Sequence, residues 1–339
     1  MAFFRKPRPT PPPRPAWDDV PTEEDIFYAY RLILKRDPDE AGLEQYRRHI
    51  ANGVSLDRVI RSFFDSEEYR FRLLDEWRPT PVDFGGYRVC IQKRDTDFGQ
   101  AILATAEYEP QVRALVAQYL REGDVFVDVG ANVGCIAFLA ATIVKAHGLV
   151  VAVEPNPENV RLLYAGIVLN GFTNVRVLPW AASNRDGIFS LTGGISNTHV
   201  IPGRAPEASG GLYAQAAVLD EWLAWLPRLD FVKMDIEGHE PLALDGLSRL
   251  VARHRPTLLV EFNPRCLEDL HQRSPRAFLD DLFALYPRYR IVSAFGDDET
   301  FERAADLMTF WERRNREVTE RKLLPDRLLH FDLIAPRAG

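Results

Sequence analysis

Cysteine is scarce in this chain: Cys90, Cys135 and Cys266 are the only three among 339 residues. An odd, widely spaced set offers neither a disulfide framework nor the paired spacing of a zinc site. Cys135 falls near the start of a helix, where a thiol pKa can drop. A free cysteine ordinarily packs as a small buried hydrophobe, and that is the expectation here. Long apolar runs are missing as well. No stretch approaches the ~18 residues that cross a bilayer, and the N-terminus holds no apolar signal core. The cytoplasm is the expected location. Basic residues are not in excess: 42 Lys and Arg face 49 Asp and Glu, and a net charge of −7 supplies no field that would draw in nucleic acid.

Hydrophobic residues make up 46% and aromatic residues 11%, enough for a sizeable core, and 339 residues are long for a single one. A main domain plus a smaller unit is expected. Residues 1–20 include Arg5-Lys6-Pro7-Arg8-Pro9 and Pro11-Pro12-Pro13-Arg14-Pro15, a basic polyproline-like tail expected to be disordered. Residues 21–78 read as a helical module. Thr22-Glu23-Glu24-Asp25 is an N-cap with an acidic first turn, and Ile26, Tyr30, Ile33 and Leu34 recur at helical spacing. Asp37-Pro38-Asp39 breaks that helix and caps a second, which carries Leu43, Tyr46 and Ile50 and ends at Asn52-Gly53. Two more helices begin at Ser55 and Ser66, the last running to about Trp77. Arg78-Pro79-Thr80-Pro81 is a linker into a main domain over residues 79–339.

The chemistry concentrates at Asp124-Val125-Phe126-Val127-Asp128-Val129-Gly130-Ala131-Asn132-Val133-Gly134. A β-branched and aromatic run stops at an Asp, two glycines follow, and Cys135-Ile136-Ala137-Phe138-Leu139-Ala140-Ala141 continues as a helix. Strand, tight turn and helix turn backbone N–H groups toward a ligand at a helix N-terminus. Asn132 occupies the place where a dinucleotide fingerprint needs its second glycine. A second strand, Leu149-Val150-Val151-Ala152-Val153, ends in Glu154-Pro155-Asn156. Glu154 stands at about the distance at which an acidic side chain meets ribose hydroxyls. The ligand therefore reads as a nucleoside without a long phosphate tail, and S-adenosylmethionine fits better than a nicotinamide cofactor.

Further along, the pattern predicts a helix over about 157–170, a strand at Val175–Ala182 and a short antiparallel excursion around Gly187–Thr192. A strand at Phe231–Asp235 precedes a helix through about Ala252, and a strand at Thr257–Phe262 precedes a helix over roughly 275–286. Two last strands fit Arg290–Phe295 and His330–Ala335, the final one reversed at the sheet edge. Such alternation means a mainly parallel sheet covered on both faces. The ligand then lies across the carboxyl ends of the strands. Four of those ends carry polar groups: Asp128 and Asn132, then Glu154, then Asp235-Ile236-Glu237-Gly238-His239, then Glu261-Phe262-Asn263.

Taken with Asn170-Gly171, Lys233-Met234-Asp235-Ile236-Glu237-Gly238, Glu107-Tyr108-Glu109-Pro110 and Leu258-Leu259-Val260-Glu261, these motifs resemble the FkbM family of S-adenosylmethionine-dependent methyltransferases from about residue 85 onward. The resemblance implies a class I methyltransferase (Rossmann-like) α/β fold with a mainly parallel seven-stranded sheet, preceded here by the small all-α unit. It also implies methylation of a hydroxyl on a small molecule, a sugar or glycan or glycolipid precursor. By the same resemblance Gly130, Ala131, Asn132 and Gly134 would shape the methionine side of the S-adenosylmethionine pocket, and Asp128 would orient the glycine turn or meet the donor's amino group. Glu154 would hold the ribose, and Pro155, Asn156 and Ala181 would lie near the adenine; Glu107 and Asp235 complete the implied contacts. Residues 21–78 resemble a short bacterial helical module of unknown function found in surface and glycan-related proteins, through Tyr30–Asp39, Gly42-Leu43, Asn52-Gly53 and Phe63–Arg70. That resemblance implies a binding or positioning role, with a protein or glycan as partner.

Asp235, Glu237 and His239 stand where the fourth strand meets substrate and are the catalytic candidates. His239 would be a base near neutral pH, although a histidine after a strand is commonly structural, and Glu237 can instead cap the next helix. No metal is assigned; Asp235, Glu261 and Asn263 could offer three oxygen ligands from adjacent strand ends, but carboxylates at strand ends are common without one. The glycine-rich segment from Gly193-Gly194 through His199 to Gly210-Gly211 reads as a substrate-facing loop bringing Ser196, Asn197 and His199 near an acceptor. Nucleic-acid N-methylation would need an Asn/Asp-Pro-Pro-aromatic signature, and the site reads Asp235-Ile236-Glu237-Gly238 instead. A non-catalytic scaffold docking through its helical module is the remaining alternative, and it would show as a failure to bind S-adenosylmethionine.

Overall fold

The computed structural model describes residues 21–34, 36–201, 212–325 and 328–337. The proline-rich tail and the Gly210-Gly211 end of the long loop lie outside the described residues. Two compact units follow one another, up to Arg78 and from Pro79 onward.

The first unit holds α1 (Glu23–Ile33), α2 (Glu40–Ala51), α3 (Leu56–Phe64) and α4 (Glu67–Trp77). Thr22 accepts from the N–H of Asp25, whose carboxylate accepts the N–H of Thr22 in return, so two end donors are satisfied reciprocally. Asp39 and Ser55 cap α2 and α3. Tyr46 stacks on Phe63 at 4.6 Å, and Tyr30 meets Phe63 edge-on at 4.9 Å. This aromatic trio anchors a small core with Ile26, Leu34 and Val59.

In the second unit β1 (Thr80–Asp83) and β2 (Arg88–Ile91) form a hairpin, followed by α5 (Gly99–Thr105) and α6 (Pro110–Tyr119). Then come β3 (Val125–Val129), α7 (Cys135–Val144), β4 (Leu149–Val153), α8 (Pro157–Asn170) and β5 (Val175–Leu178). Next are β6 (Ala181–Ala182), β7 (Gly187–Gly193), β8 (Thr198–Ile201) and β9 (Leu212–Ala217), then the short α9 (Leu219–Trp222). β10 (Phe231–Met234), α10 (Glu240–Asp245), α11 (Ser248–His254), β11 (Thr257–Phe262), α12 (Pro264–Asp269) and α13 (Pro275–Leu285) continue the alternation. β12 (Tyr289–Val292), β13 (Asp298–Phe301), α14 (Ala304–Glu320) and β14 (Phe331–Ala335) close the chain.

The main sheet runs β13-β12-β14-β11-β10-β3-β4-β5. β11, β10, β3, β4 and β5 are parallel neighbours, while β14 is antiparallel to both β11 and β12. The order is that of a class I methyltransferase sheet with one added strand: β12 turns back through Gly296 into β13, making eight strands where seven were expected. The reversed strand, expected at the edge, lies inside the sheet. The 17-residue α14 accounts for this, because it packs Leu307, Phe310, Trp311 and Val318 into the core and returns the chain to slot β14 between its neighbours. The expected strand Val175–Ala182 divides at Pro179, so that β5 joins the main sheet and β6 a separate four-stranded sheet ordered β6-β9-β7-β8.

Strand parity sorts the core. Val125, Val127, Val129, Val232 and Val260 face one way with α11, α13 and α14; Phe126, Val150, Ala152, Phe231 and Leu259 face the other with α6, α7 and α8. Every residue of β3 and β11 is buried, as a strand covered on both faces requires.

Candidate active site

Strand order reverses between β3 and β10, and a cleft of about 630 Å³ opens at the carboxyl ends there. Gly130, Asn132, Glu154, Pro155, Asp235 and Glu237 line it, so the strand ends singled out in the sequence do converge. Gly130 has φ +83°, and a Cβ there would stand 2.0 Å from the carbonyl oxygen of Asp235. The turn therefore passes directly against β10, which only glycine permits. Asn132 is left-handed at φ +50° and lines the cleft, and its buried Oδ1 has no hydrogen-bond partner among the described residues.

Glu154 is buried and well held. Oε2 accepts the N–H of Asn132 at 2.8 Å, and Oε1 accepts the N–H of Asn156 at 2.8 Å. Burial pushes its carboxyl up to about 7 against the pull of those two N–H groups. Beneath the glycine turn Lys233 reaches Asp235 at 3.2 Å and Asp128 at 3.7 Å. Burial lowers the ammonium pKa, but Asp235, Asp128 and Glu109 together outweigh it and hold Lys233 charged. Asp128 is fully buried and pushed up to about 6 by that burial. It therefore acts from behind the turn and does not line the cleft.

More acid faces the cleft than the sequence reading assigned. Glu109, at φ +40° just before Pro110 opens α6, lines it with Tyr108, while Glu107 points to solvent. Glu107, expected at the cofactor, thus does not line the cleft, whereas Glu109, two residues on, does, because it sits in the left-handed turn before α6. Burial, and then the Asp235 charge, raise the Glu109 carboxyl. Glu261 also lines the cleft, buried, with Oε2 unpartnered. It lies directly opposite Asp332 across β11 and β14, and burial followed by the Asp235 and Glu237 charges raises its carboxyl well above the usual range. Asp235, Glu261 and Asn263 all line the cleft, yet no group of three or more His, Cys, Asp or Glu side chains among the described residues is arranged to hold a metal ion.

His239 fails as a base. It is fully buried, Nε2 lies 3.2 Å from Ser183 Oγ, and it does not line the cleft. Burial, with His271 and Arg273 nearby, lowers it to about 3, so it takes no proton at neutral pH. Glu237 does face the cleft, held at φ +57°, and its Oε2 accepts the Cys266 thiol at 3.3 Å. Glu237 does not take the capping role considered for it, since α10 has no side-chain cap, and the first-turn Glu240 instead accepts the N–H of Ile236 through Oε1. Ala131, Gly134 and Asn156 stand behind the wall, and Ala181 is buried in the small sheet away from the cleft. Cys135 is buried and its thiol is pushed up, the packing role expected of it. The β7–β8 hairpin brings Ser196, Asn197, Thr198 and His199 into the lining.

Residues 128–274 match the methyltransferase FkbM domain. That stretch, which carries the strand ends around the cleft, is therefore similar to a methyltransferase domain. Residues 18–72 match a domain of unknown function, DUF4214. A protein-L-isoaspartate O-methyltransferase of Archaeoglobus fulgidus is 29% identical over 150 residues, 44% of this chain and 58% of that protein. The chain thus spans little more than half the length of this curated relative. Among solved structures, the FkbM methyltransferase of Methylobacillus flagellatus is similar at 16% identity and a TM-score of 0.39, covering 69% of this chain and 52% of that one. A precorrin-6y C5,15-methyltransferase of Geobacter metallireducens gives 14% identity and a TM-score of 0.36 over 68% of this chain and 89% of its own. No described helix is long and apolar enough to cross a membrane.

Proposed function

We propose that this chain is an S-adenosylmethionine-dependent O-methyltransferase acting on a hydroxyl of a small molecule of the sugar or glycan-precursor class. The observation that carries the reading is the convergence of Gly130, Asn132, Glu154 and Asp235 on one cleft at the switch point of the sheet. The donor fits on one count: Asn132 lines the cleft, and its Oδ1 is a buried acceptor with no hydrogen-bond partner among the described residues. S-adenosylmethionine supplies an electrophilic methyl on a sulfonium. Glu154 would accept the ribose hydroxyls, and the Asp235 side would face the cationic end of the donor.

The remaining chemistry belongs to the acceptor proton. An attacking hydroxyl must lie in line with the methyl and lose its proton as the bond forms. We place that base at Glu237, because it faces the cleft without an ion pair of its own, whereas Asp235 is engaged by Lys233. The helical unit is assigned the docking of a protein or glycan partner.

Glu154→Ala is expected to weaken S-adenosylhomocysteine binding by about tenfold or more in calorimetry, since a charge-assisted contact is lost; unchanged affinity would contradict the ribose assignment. Glu237→Gln is expected to lower turnover by about 10²-fold or more with donor affinity kept. Purified protein with methyl-labelled S-adenosylmethionine and a sugar or glycolipid extract tests the acceptor class. Label held as a base-stable ether supports it, and label released by mild alkali as methanol marks a carboxyl ester and overturns it.

A further inference from the structure

The β7–β8 hairpin brings a wall to the cleft from outside the main sheet, and two separate sets of bonds hold its tip. From one side Asp97 Oδ2 accepts the N–H groups of Ile195, Ser196 and Asn197 at 2.5, 3.0 and 3.1 Å. Three successive donors converging on one carboxylate oxygen form an anion nest filled by the protein's own side chain. Gly194 is what lets Asp97 in: a Cβ there would stand 2.1 Å from Asp97 Oδ2. From the other side Asn156 Nδ2 donates to the Ile195 carbonyl and Asn159 Nδ2 to the Ser196 carbonyl, both at 2.9 Å.

Those two asparagines also touch the ribose carboxylate. The backbone N–H of Asn156 donates to Glu154 Oε1 at 2.8 Å, and Asn159 Nδ2 lies 3.4 Å from the same oxygen. The tip and Glu154 are therefore joined through one pair of residues. Ser196 is 5% exposed and lines the cleft, and its Oγ has no hydrogen-bond partner among the described residues. A buried hydroxyl left unpaired is costly, so a ligand group is the natural partner.

We propose that the hairpin tip is part of the donor site, that Ser196 contacts the nucleoside end beside Glu154, and that Asp97 is the positioning residue that holds the tip there. Donor binding and tip order are then linked, and each must strengthen the other by the same factor. This rests on the reading of the cleft as the S-adenosylmethionine site.

The test combines hydrogen exchange of residues 193–199 with calorimetric titration of the full chain by S-adenosylhomocysteine. In the wild type the ligand is expected to slow exchange across the tip. Asp97→Ala speeds that exchange in the free protein and weakens the ligand by about tenfold. Gly194→Ala keeps the carboxylate but pushes the tip off it, and has the same two effects. Ser196→Ala weakens binding about threefold to tenfold with exchange of the free tip unchanged, a split that a purely structural role would not produce. If Asp97→Ala lowers the thermal midpoint so far that binding cannot be read, Gly194→Ala carries the comparison. Wild-type binding with unaltered tip exchange, and both loosening variants within about twofold of wild-type affinity, overturns the linkage while leaving the donor site in place. Absence of any binding by the wild type overturns both.

Discussion

Lys233 is the cation on which the floor of the cleft depends. It is 4% exposed and sits between the fully buried Asp128 and the cleft-facing Asp235. Removing one partner of such a set leaves charge buried without compensation, which costs ~3–5 kcal/mol. Lys233→Ala is expected to lose about that much in urea unfolding, and adding Asp128→Asn to it should recover part of the loss. Equal losses in the single and double variants would show that Asp128 does not depend on the lysine. Several residues of the site could be read directly from their types: Gly130, Asn132, Glu154, Asp235 and Glu237 carry motif positions, and all five line the cleft. Glu109 and Asp97 could not be placed that way, because a left-handed turn and a contact 98 residues along the chain decide them. His239 misled because its neighbours in sequence say nothing of its complete burial.

At the level of elements, α7 and α8 pack through a notch. Phe138 on α7 is fully buried, and a Cβ added at Gly166 of α8 would come within 2.3 Å of its ring. Close helix approach here requires glycine on one side and a flat ring on the other. Gly166→Ala is therefore expected to cost ~1–3 kcal/mol by overpacking, and Phe138→Ala ~3–5 kcal/mol by leaving a cavity. Denaturant midpoints measure both, and a stabilised Gly166→Ala would contradict the notch. Most elements were legible because periodicity and caps agree: α8 begins at Pro157 behind the Asn156 cap and ends at Gly171, and β11 holds the apolar run Leu258-Leu259-Val260. Sheet membership was not. β5 and β6 read as one strand, and only the hydrogen-bonding partners on each side of Pro179 assign them to different sheets.

For the molecule as a whole, the buried acids set the response to pH. Glu154 at about 7, Asp128 at about 6, and Glu109 and Glu240 at about 8 all lie above the ordinary carboxyl range. The folded state therefore keeps protons that the unfolded chain has already lost, and stability falls as pH rises through that window. His239 at about 3 and His271 at about 4 act in the opposite sense, but only below the ordinary imidazole value of ~6.5. Above that value the carboxylates act alone. The thermal midpoint of the ligand-free protein is expected to drop between about pH 6.5 and 8, and Glu154→Gln should remove part of the drop, the rest belonging to Glu109 and Glu240; a midpoint rising over that interval would contradict the sign. By itself the sequence determined strands β3, β4, β10 and β11 with the helices that follow them, the glycine turn and the acids at the strand ends, since these follow from local periodicity and residue chemistry. Only the tertiary structure decided that β14 lies within the sheet, that Glu109 and the hairpin tip join the cleft, and that His239 does not. Those outcomes depend on which distant segments share the strand ends and on how completely each group is removed from water.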